Sequence, residues 1–275
     1  MHTFNEIKAQ LKMDTDVHYL FVEGDRDLAF WRALVPITNR TNTQVIKAST
    51  VKDITSSTNG EKARLLALSE AFVEEGLSER VKFFVDADND HLLNTTYDKC
   101  VVLSDYRDLE SYCFTEECLN KFISIGLAKT QINIVELLQD IINICSPLGF
   151  LRYISESSNR NLPFQKTFDG NGRKKYMCVR TKSLKNDNLI RTLLQNARIS
   201  LNDLPIVKSE LLLIIDESNI DIRKVIHGKD WLFYLSMYLS LCPDSIESQL
   251  FLSLDYSSLE TETSLCEIIS YLKAA

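Results

Sequence analysis

The chain has 275 residues, of which 45% are hydrophobic and 25% charged, and its net charge at pH 7 is −7. These values are typical of a soluble globular protein, so they exclude intrinsic disorder and predict one substantial core with a helical extension. The negative charge disfavours a protein that coats nucleic acid nonspecifically, because phosphate binding depends on Lys and Arg. Contact with nucleic acid would therefore require a local basic cluster.

We expect a cytoplasmic protein without membrane contact. The sequence has no run of about 18 uncharged apolar residues, and residues 1–12 lack the apolar region of a secretory signal. The 7 cysteines include no C-x-x-C pair and the 4 histidines no H-x-x-x-H spacing, which disfavours both disulfides and zinc. A metal ion in this chain would be held by oxygen atoms.

The first hundred residues alternate short apolar runs with helical patterns, which predicts an α/β fold with a mostly parallel sheet flanked by helices. Its predicted strands and helices are, in chain order, a helix at 4–11, a strand at 18–22, a helix at 25–34, a strand at 44–47, a helix at 61–75, and strands at 81–85 and 101–103.

After about residue 115 the pattern becomes mainly helical. The sequence Asp169-Gly-Asn-Gly172, flanked by alternating residues, predicts a β-hairpin near residues 167–182. We therefore expect an α/β domain at 1–115 and a mainly α-helical domain at 116–275. The predicted helices of the second domain are 116–125, 131–145, 187–197, 206–215, 229–241 and 258–272, with breaks at Pro147, Pro163, Pro205 and Pro243.

Acidic residues directly follow two of the predicted strands. Glu23 comes after the strand at 18–22, and Asp86 and Asp88 come after the strand at 81–85. In an open α/β sheet, ligands bind outside the carboxyl ends of the strands, at the point where the strand order reverses. Three carboxylates delivered there suit Mg²⁺, which prefers oxygen ligands and keeps several waters.

Two other interpretations concern the same acidic segment. Asp86, Asp88 and Asp90 could together form a solvated turn without a ligand. An EF-hand is excluded, because its glycine position falls on His91 and its glutamate position on Tyr97.

The acidic segments resemble known motifs of the TOPRIM family. Tyr19–Asp27 is similar to its first motif, a hydrophobic strand that ends in Glu-Gly, and Val81–Asp88 is similar to its D-x-D motif. Together with Asp105–Cys113, they resemble the TOPRIM subunits that accompany ATPases in phage-defence systems of the PARIS type. A weaker match covers Ile226–Trp231. This arrangement of acidic motifs is shared by a related family, the nucleases named for "overcoming old lysogenization".

The resemblance implies that residues 1–115 form a TOPRIM-like catalytic domain. Glu23 would act as acid/base or metal ligand, while Asp86 and Asp88 would hold Mg²⁺, or Mn²⁺ in its place. Related nucleases use two metal ions, and the further ligands of a second ion would come from the set Asp27, Asp90 and Glu110.

These further ligands have structural alternatives. Asp27 lies in the first turn of a predicted helix, where the helix dipole alone favours an acid. Asp108 or Glu110 could simply pair with Arg107. By the same resemblance, Lys229 would stabilise charge on the phosphate in the transition state. A lysine at the start of a helix is commonly only solvated, and that alternative stays open.

A dense basic run lies within the predicted hairpin and beyond it. It fits contacts with phosphates and bases, or alternatively a solvated face. The predicted nucleic-acid-binding residues are Arg173, Lys174, Lys175, Arg180 and Lys182, and the run continues to Lys185 and Arg191.

The resemblance as a whole implies a Mg²⁺-dependent endonuclease that cuts DNA or RNA, tRNA included, as the toxic effector of an anti-phage defence system. Its partner would be a separate ATPase that controls it, while assembly into a homo-oligomer stays open. The alternative is a regulatory subunit of such an ATPase complex, which binds metal and nucleotide without catalysis.

Overall fold

The computed structural model describes residues 2–35, 42–54, 60–259 and 261–273. These residues form two compact units. The first unit comprises residues 1–87, 95–105 and 256–275, and the second comprises residues 88–94 and 106–255. The fold class predicted from the sequence is confirmed: parallel strands are flanked by helices, the later part of the chain is helical, and a small antiparallel strand pair is present.

The first unit is built on a four-stranded parallel sheet with the strand order β3-β2-β5-β6. A second, two-stranded parallel sheet joins β1 to β4. The elements of this unit are β1 (His2–Thr3), α1 (Phe4–Met13), β2 (His18–Val22), α2 (Asp25–Leu34), β3 (Thr43–Lys47), β4 (Val51–Lys52), α3 (Glu61–Glu74), β5 (Val81–Val85), β6 (Val101–Leu103), α13 (Tyr256–Leu259) and α14 (Thr263–Lys273).

Both faces of the four-stranded sheet are covered, which is why its strands are almost continuously apolar. On one face, Phe21 stacks on Phe83 at a centroid distance of 4.9 Å and contacts Phe72 of α3. On the other face, Phe84 contacts the fully buried Trp31 of α2 at 5.1 Å. The predicted strands at 18–22, 81–85 and 101–103 and the helix at 25–34 are confirmed with the same bounds.

Helix α3 ends at Glu74, and Gly76 closes it two residues later, as the sequence predicts. Gly76 has a φ of 68°, its N–H donates to the carbonyl of Val73, and the N–H of Leu77 donates to the carbonyl of Phe72. This pair of hydrogen bonds is the Schellman motif, which requires a residue in the left-handed region and therefore favours glycine.

The second unit is mainly helical. Helix α6 is its longest helix among the described residues and packs against α5, α10 and α11. The elements of this unit are α4 (Asp90–Leu93), a 3₁₀ helix (Leu109–Cys113), α5 (Glu116–Asn120), a π-helical segment (Lys121–Gly126), α6 (Ile134–Ser157), α7 (Phe164–Thr167), α8 (Asn171–Tyr176), β7 (Met177–Cys178), β8 (Ser183–Leu184), α9 (Asn186–Asn196), α10 (Leu204–Glu217), α11 (Gly228–Leu239) and α12 (Pro243–Ser253).

The predicted break at Pro147 is wrong. Helix α6 continues through this residue to Ser157, and Pro147 is buried together with Ile144 and Leu148. A proline inside a helix costs roughly 3 kcal/mol, but burial of several apolar side chains at about 1.5–3 kcal/mol each outweighs that cost. Two other prolines lie in the first turn of a helix, where the missing N–H has no partner to lose: Pro205 in α10 and Pro243 in α12.

Helix α6 is also long and apolar enough to cross a membrane by length and composition. Its most apolar window of 18 residues has a mean hydropathy of 1.4, and 61% of that window is buried within the protein. A mostly buried core helix has the same length and composition, so this observation is weak evidence for a membrane span.

The predicted hairpin is present at a different position. The antiparallel strands are Met177–Cys178 and Ser183–Leu184, with residues 179–182 between them. The sequence Asp169-Gly-Asn-Gly172 does not form the turn, because Gly170 is the N-cap residue of helix α8. A glycine with positive φ serves a helix start as readily as a hairpin turn, which explains the displaced prediction.

Candidate functional site

In the first unit, two acidic residues lie at the carboxyl edge of the sheet where the strand order reverses. The chain passes from β2 outward to β3 and then returns to place β5 on the other side of β2. Glu23 follows β2 and Asp86 follows β5. These neighbouring strands therefore bring the two residues to the edge at which open α/β sheets bind ligands, as the sequence predicts.

The two residues are joined by a hydrogen bond. The backbone N–H of Asp86 donates to Oε1 of Glu23 at 3.0 Å, and both residues are half-buried. Lys62 of α3 donates from Nζ to the carbonyl oxygen of Asp86 at 2.6 Å. The carboxylate of Glu23 is thus held at a defined position on the edge, and an ammonium group is bound to the same strand end.

Asp27 has a structural role at the start of α2. One of its carboxylate oxygens accepts the N–H of Gly24 at 2.8 Å in a capping box. Burial raises the pKa of Asp27, partly offset by hydrogen bonds from the backbone and by the charge of Lys47. Lys47 ends the neighbouring strand β3 and forms an ion pair with Asp25 at 3.2 Å.

The other predicted metal ligands, Asp88, Asp90 and Glu110, belong to the second unit. Asp88 is exposed, has a left-handed φ of 51° and donates its N–H to the carbonyl of Arg107 at 2.8 Å. Asp90 is buried in the first turn of α4. Glu110 is half-buried in the 3₁₀ helix that follows Asp108.

Asp108, predicted from the sequence only as an alternative partner of Arg107, is the buried acid of this segment. Its carboxylate accepts hydrogen bonds from the N–H of Gly228 at 2.6 Å, from Oγ of Ser111 at 2.6 Å and from the N–H of Ser111 at 3.2 Å. Burial, followed by the charge of Glu110, raises the pKa of Asp108 to about 7.

Lys229 is exposed on the first turn of α11. Its backbone N–H donates to Nδ1 of His227 at 3.2 Å. The neighbouring Gly228 lies close to the 3₁₀ helix, because a Cβ built on it would be 2.7 Å from Cβ of Glu110. The role of Lys229 in catalysis stays a prediction.

A buried ion-pair cluster surrounds Asp230, whose role no sequence pattern indicated. Its carboxylate pairs with Arg152 and with Nε of Arg173, the latter at 2.9 Å. Both arginines also contact Oδ1 of Asp169, at 3.1 and 3.0 Å. Burial alone would raise the pKa of Asp230, but the surrounding charges, above all Arg152, lower it to about 2. No local sequence pattern joins Asp230 to Arg152 and Arg173, since both arginines lie far from it in the chain.

The predicted nucleic-acid-binding residues are consequently not equivalent. Arg173 is buried in the ion-pair cluster, and Lys182 forms an ion pair with Asp140 at 2.8 Å. Lys174, Lys175 and Arg180 are exposed. The charges available to an external ligand are therefore fewer than the sequence suggests.

Within residues 2–35, 42–54, 60–259 and 261–273, no group of three or more His, Cys, Asp or Glu side chains is arranged to hold a metal ion. Glu23 and Asp86 nevertheless offer the hard carboxylate oxygens that Mg²⁺ prefers. This ion is usually bound by one or two carboxylates, with waters and substrate phosphates as its remaining ligands. The donor set at the sheet edge therefore fits Mg²⁺ chemically.

No model of a known protein family matches the chain, and no curated protein matches it significantly.

Proposed function

We propose that the chain is a Mg²⁺-dependent endonuclease of the TOPRIM type that cuts phosphodiesters of DNA or RNA. The observation that carries this proposal is the pairing of Glu23 with Asp86 at the switch point of a parallel sheet, joined by a 3.0 Å hydrogen bond. The resemblance of the strand-end motifs to the TOPRIM family supports it. The biological setting implied by that resemblance, a cytoplasmic toxic effector of phage defence under the control of a separate ATPase, is part of the same proposal.

In this proposal Glu23 and Asp86 would hold the metal ion, which when bound would polarise a phosphate oxygen and make a bound water more acidic. Glu23 acts as acid/base or metal ligand, and the hydrogen bond that its Oε1 accepts from the Asp86 N–H holds its carboxylate in position. Lys47 and Lys62 lie at the same edge, at the end of β3 and on α3, and bring positive charge to a place where phosphate would bind. Asp88, Asp90, Asp27, Glu110 and Lys229 stay predictions from the sequence.

The test incubates the purified protein with three substrates: plasmid DNA, a single-stranded DNA oligonucleotide and bulk tRNA. Cleavage of each substrate is measured in Mg²⁺, in Mn²⁺ and in EDTA. We expect metal-dependent cutting of at least one substrate by the wild type. Loss of one charge at the metal site, in Glu23→Gln or Asp86→Asn, should lower the rate by at least about 100-fold.

The matched control is Glu70→Gln, the same substitution at an exposed position of α3. It should cut at the wild-type rate. Growth of bacterial cells that express each variant tests toxicity in parallel, since an activator present in cells would be missing from the purified reaction. Cutting by Glu23→Gln at the wild-type rate, or no cutting and no toxicity of the wild type, contradicts the proposal. Metal-dependent nucleotide binding without turnover would favour the regulatory alternative.

A further inference from the structure

A basic pocket lies in the second unit, between the end of helix α8 and the first turns of helix α9. Its volume is about 220 Å³. The short hairpin β7–β8 connects the two helices, and the N–H of Lys185 donates to the carbonyl of Tyr176 at 2.9 Å, which fixes the end of α8 against the start of α9. The pocket is lined by Lys175, Tyr176, Lys185, Asn188, Arg191 and Thr192.

The pocket carries positive charge that the described part of the chain does not neutralise. Lys175, Lys185 and Arg191 form no ion pair with any described residue, and no described carboxylate lines the pocket. Several cations of this unit are paired: Lys208, for example, binds the nearby Asp187 at 2.8 Å. In a chain with a net charge of −7, three unpaired cations around one pocket favour an anionic ligand.

One residue of the lining also carries a buried hydroxyl. Tyr176 is 1% exposed, and its Oη has no hydrogen-bond partner within the described part of the chain. Leaving a buried polar group unpaired costs about 1–3 kcal/mol, so such groups in native proteins call for a partner. The amide of Asn188 and the hydroxyl of Thr192 add neutral donors to the same lining.

The composition of the lining limits the class of ligand. Lys and Arg side chains with hydroxyl and amide donors match the oxygens of a phosphate group. The one aromatic ring of the lining, Tyr176, is buried and has Nζ of Lys175 at 5.0 Å from its centroid. No aromatic face of the lining is therefore open for stacking on a base, which favours a contact with a backbone phosphate.

We propose that this pocket binds a backbone phosphate of a nucleic-acid strand and so positions the strand on the second unit. The identification of the strand as nucleic acid rests on the proposed nuclease function. The pocket differs from the nucleic-acid-binding residues predicted from the sequence. Lys175 belongs to both sets. Lys185 and Arg191 take the place of the buried Arg173 and the paired Lys182.

The experiment measures binding of a fluorescein-labelled single-stranded oligonucleotide by anisotropy in EDTA, over a range of salt concentrations. The pocket variant combines Lys175→Gln, Lys185→Gln and Arg191→Gln. Its control removes three charges elsewhere with Lys52→Gln, Lys99→Gln and Lys166→Gln, all exposed. Relative to this control, we expect at least about tenfold weaker binding and a salt slope smaller by about 0.7, the value for one phosphate contact on a single strand.

Tyr176→Phe separates binding from folding. Removing the hydroxyl should weaken binding about fivefold, the value of one hydrogen bond. The same change should leave the Tm unchanged or raise it, because an unpaired buried hydroxyl is lost. A residue needed only for packing would not show this combination.

The outcomes for the pocket and for the nuclease are distinguishable because binding is measured without metal. A pocket variant that binds the oligonucleotide as tightly as its control overturns the proposal, even if the two differ in binding inorganic phosphate, since the site would then take a small anion only. Weaker binding by the pocket variant supports the proposal, even where the wild type cuts nothing with Mg²⁺ and the nuclease function fails.

Discussion

Oε1 of Glu23 lies 3.0 Å from the backbone nitrogen of Asp86, so the acid that follows β2 is held by the strand end of β5. This contact lets the charge of Glu23 be tested apart from its position, because a glutamine keeps the acceptor oxygen. If the two carboxylates bind Mg²⁺, the ion should raise the Tm of the wild type. Ligand at 100 times its Kd contributes about 2.7 kcal/mol to stability.

We therefore predict that Mg²⁺ or Mn²⁺ raises the Tm of the wild type and of the control Glu70→Gln, but not that of Glu23→Gln or Asp86→Asn. In EDTA, Glu23→Gln should unfold at nearly the wild-type temperature. Thermal unfolding with and without metal measures both quantities. A metal-dependent rise in Tm that persists in both site variants would place the ion elsewhere.

A second prediction concerns Gly149, in the middle of α6. A Cβ built on Gly149 would lie 2.1 Å from the carbonyl oxygen of Val225, which is backbone and cannot rotate away. Gly149→Ala should therefore force the helix and this segment apart and lower the free energy of unfolding by about 3 kcal/mol.

Gly126→Ala is the control for this change, because the nearest atom to its Cβ is a side-chain carbon of Phe122 at 3.7 Å. It should alter the free energy of unfolding by less than about 1 kcal/mol. Urea unfolding of the two variants gives the comparison. Equal stability of both would mean that the contact at Val225 relaxes without cost.

The elements at the sheet edge were predictable from the sequence because their signals are local. The strand at 18–22 is an apolar run that ends in Glu-Gly, and the strand at 81–85 ends in Asp. The long-range features were not predictable in this way. Tyr271 of α14 places its hydroxyl 2.8 Å from the carbonyl of Arg80, and the side chain of Asp105 accepts the N–H of Ser264 at 2.9 Å. An amphipathic helix reveals an apolar face but not the surface on which that face packs.

The residues around the candidate site also divide into those with a local sequence signal and those without one. Glu23 and Asp86 could be predicted because strand ends are visible in the sequence. Lys62 could not, because its ammonium group reaches Asp86 from a neighbouring helix. The role of Asp230 could not be predicted for a related reason. Its carboxylate balances the charges of Arg152 and Arg173, and only folding brings these residues together.

A third prediction follows from that cluster. Asp230→Asn leaves the guanidinium groups of Arg152 and Arg173 buried with only Asp169 to balance them. Breaking a buried pair by removing one partner costs about 3–5 kcal/mol, and we expect a loss of that size in the free energy of unfolding.

The comparison is Asp169→Asn, which contacts the same two arginines but has a side chain that is 34% exposed. Solvent screens this carboxylate, so the loss should be about 1 kcal/mol or less. Chemical denaturation at pH 7 measures both variants. Equal losses would argue that the two acids share the balancing charge equally.

A fourth prediction uses the titration of Asp108. Its pKa is raised from 3.8 to about 7, first by burial and then by the charge of Glu110, while Arg107 and the hydrogen bonds from Ser111 and Gly228 oppose the rise. The folded state therefore binds a proton that the unfolded state releases between these two pH values. The stability that this group contributes is fully present below pH 3.8 and is lost as the pH rises through 7.

Asp108→Asn removes this titration and keeps a side chain of the same size. The free energy of unfolding of the wild type should contain a component that falls by a few kcal/mol as the pH rises through this window, and the variant should lack it. Urea unfolding at intervals between about pH 4 and pH 8, set by that window, measures the difference between the two profiles. The control Asp216→Asn, at an exposed position of α10, should keep the wild-type profile. A difference between wild type and Asp108→Asn that is the same at every pH would mean that Asp108 is ionised in the folded protein throughout, with Arg107 and its hydrogen-bond donors outweighing burial.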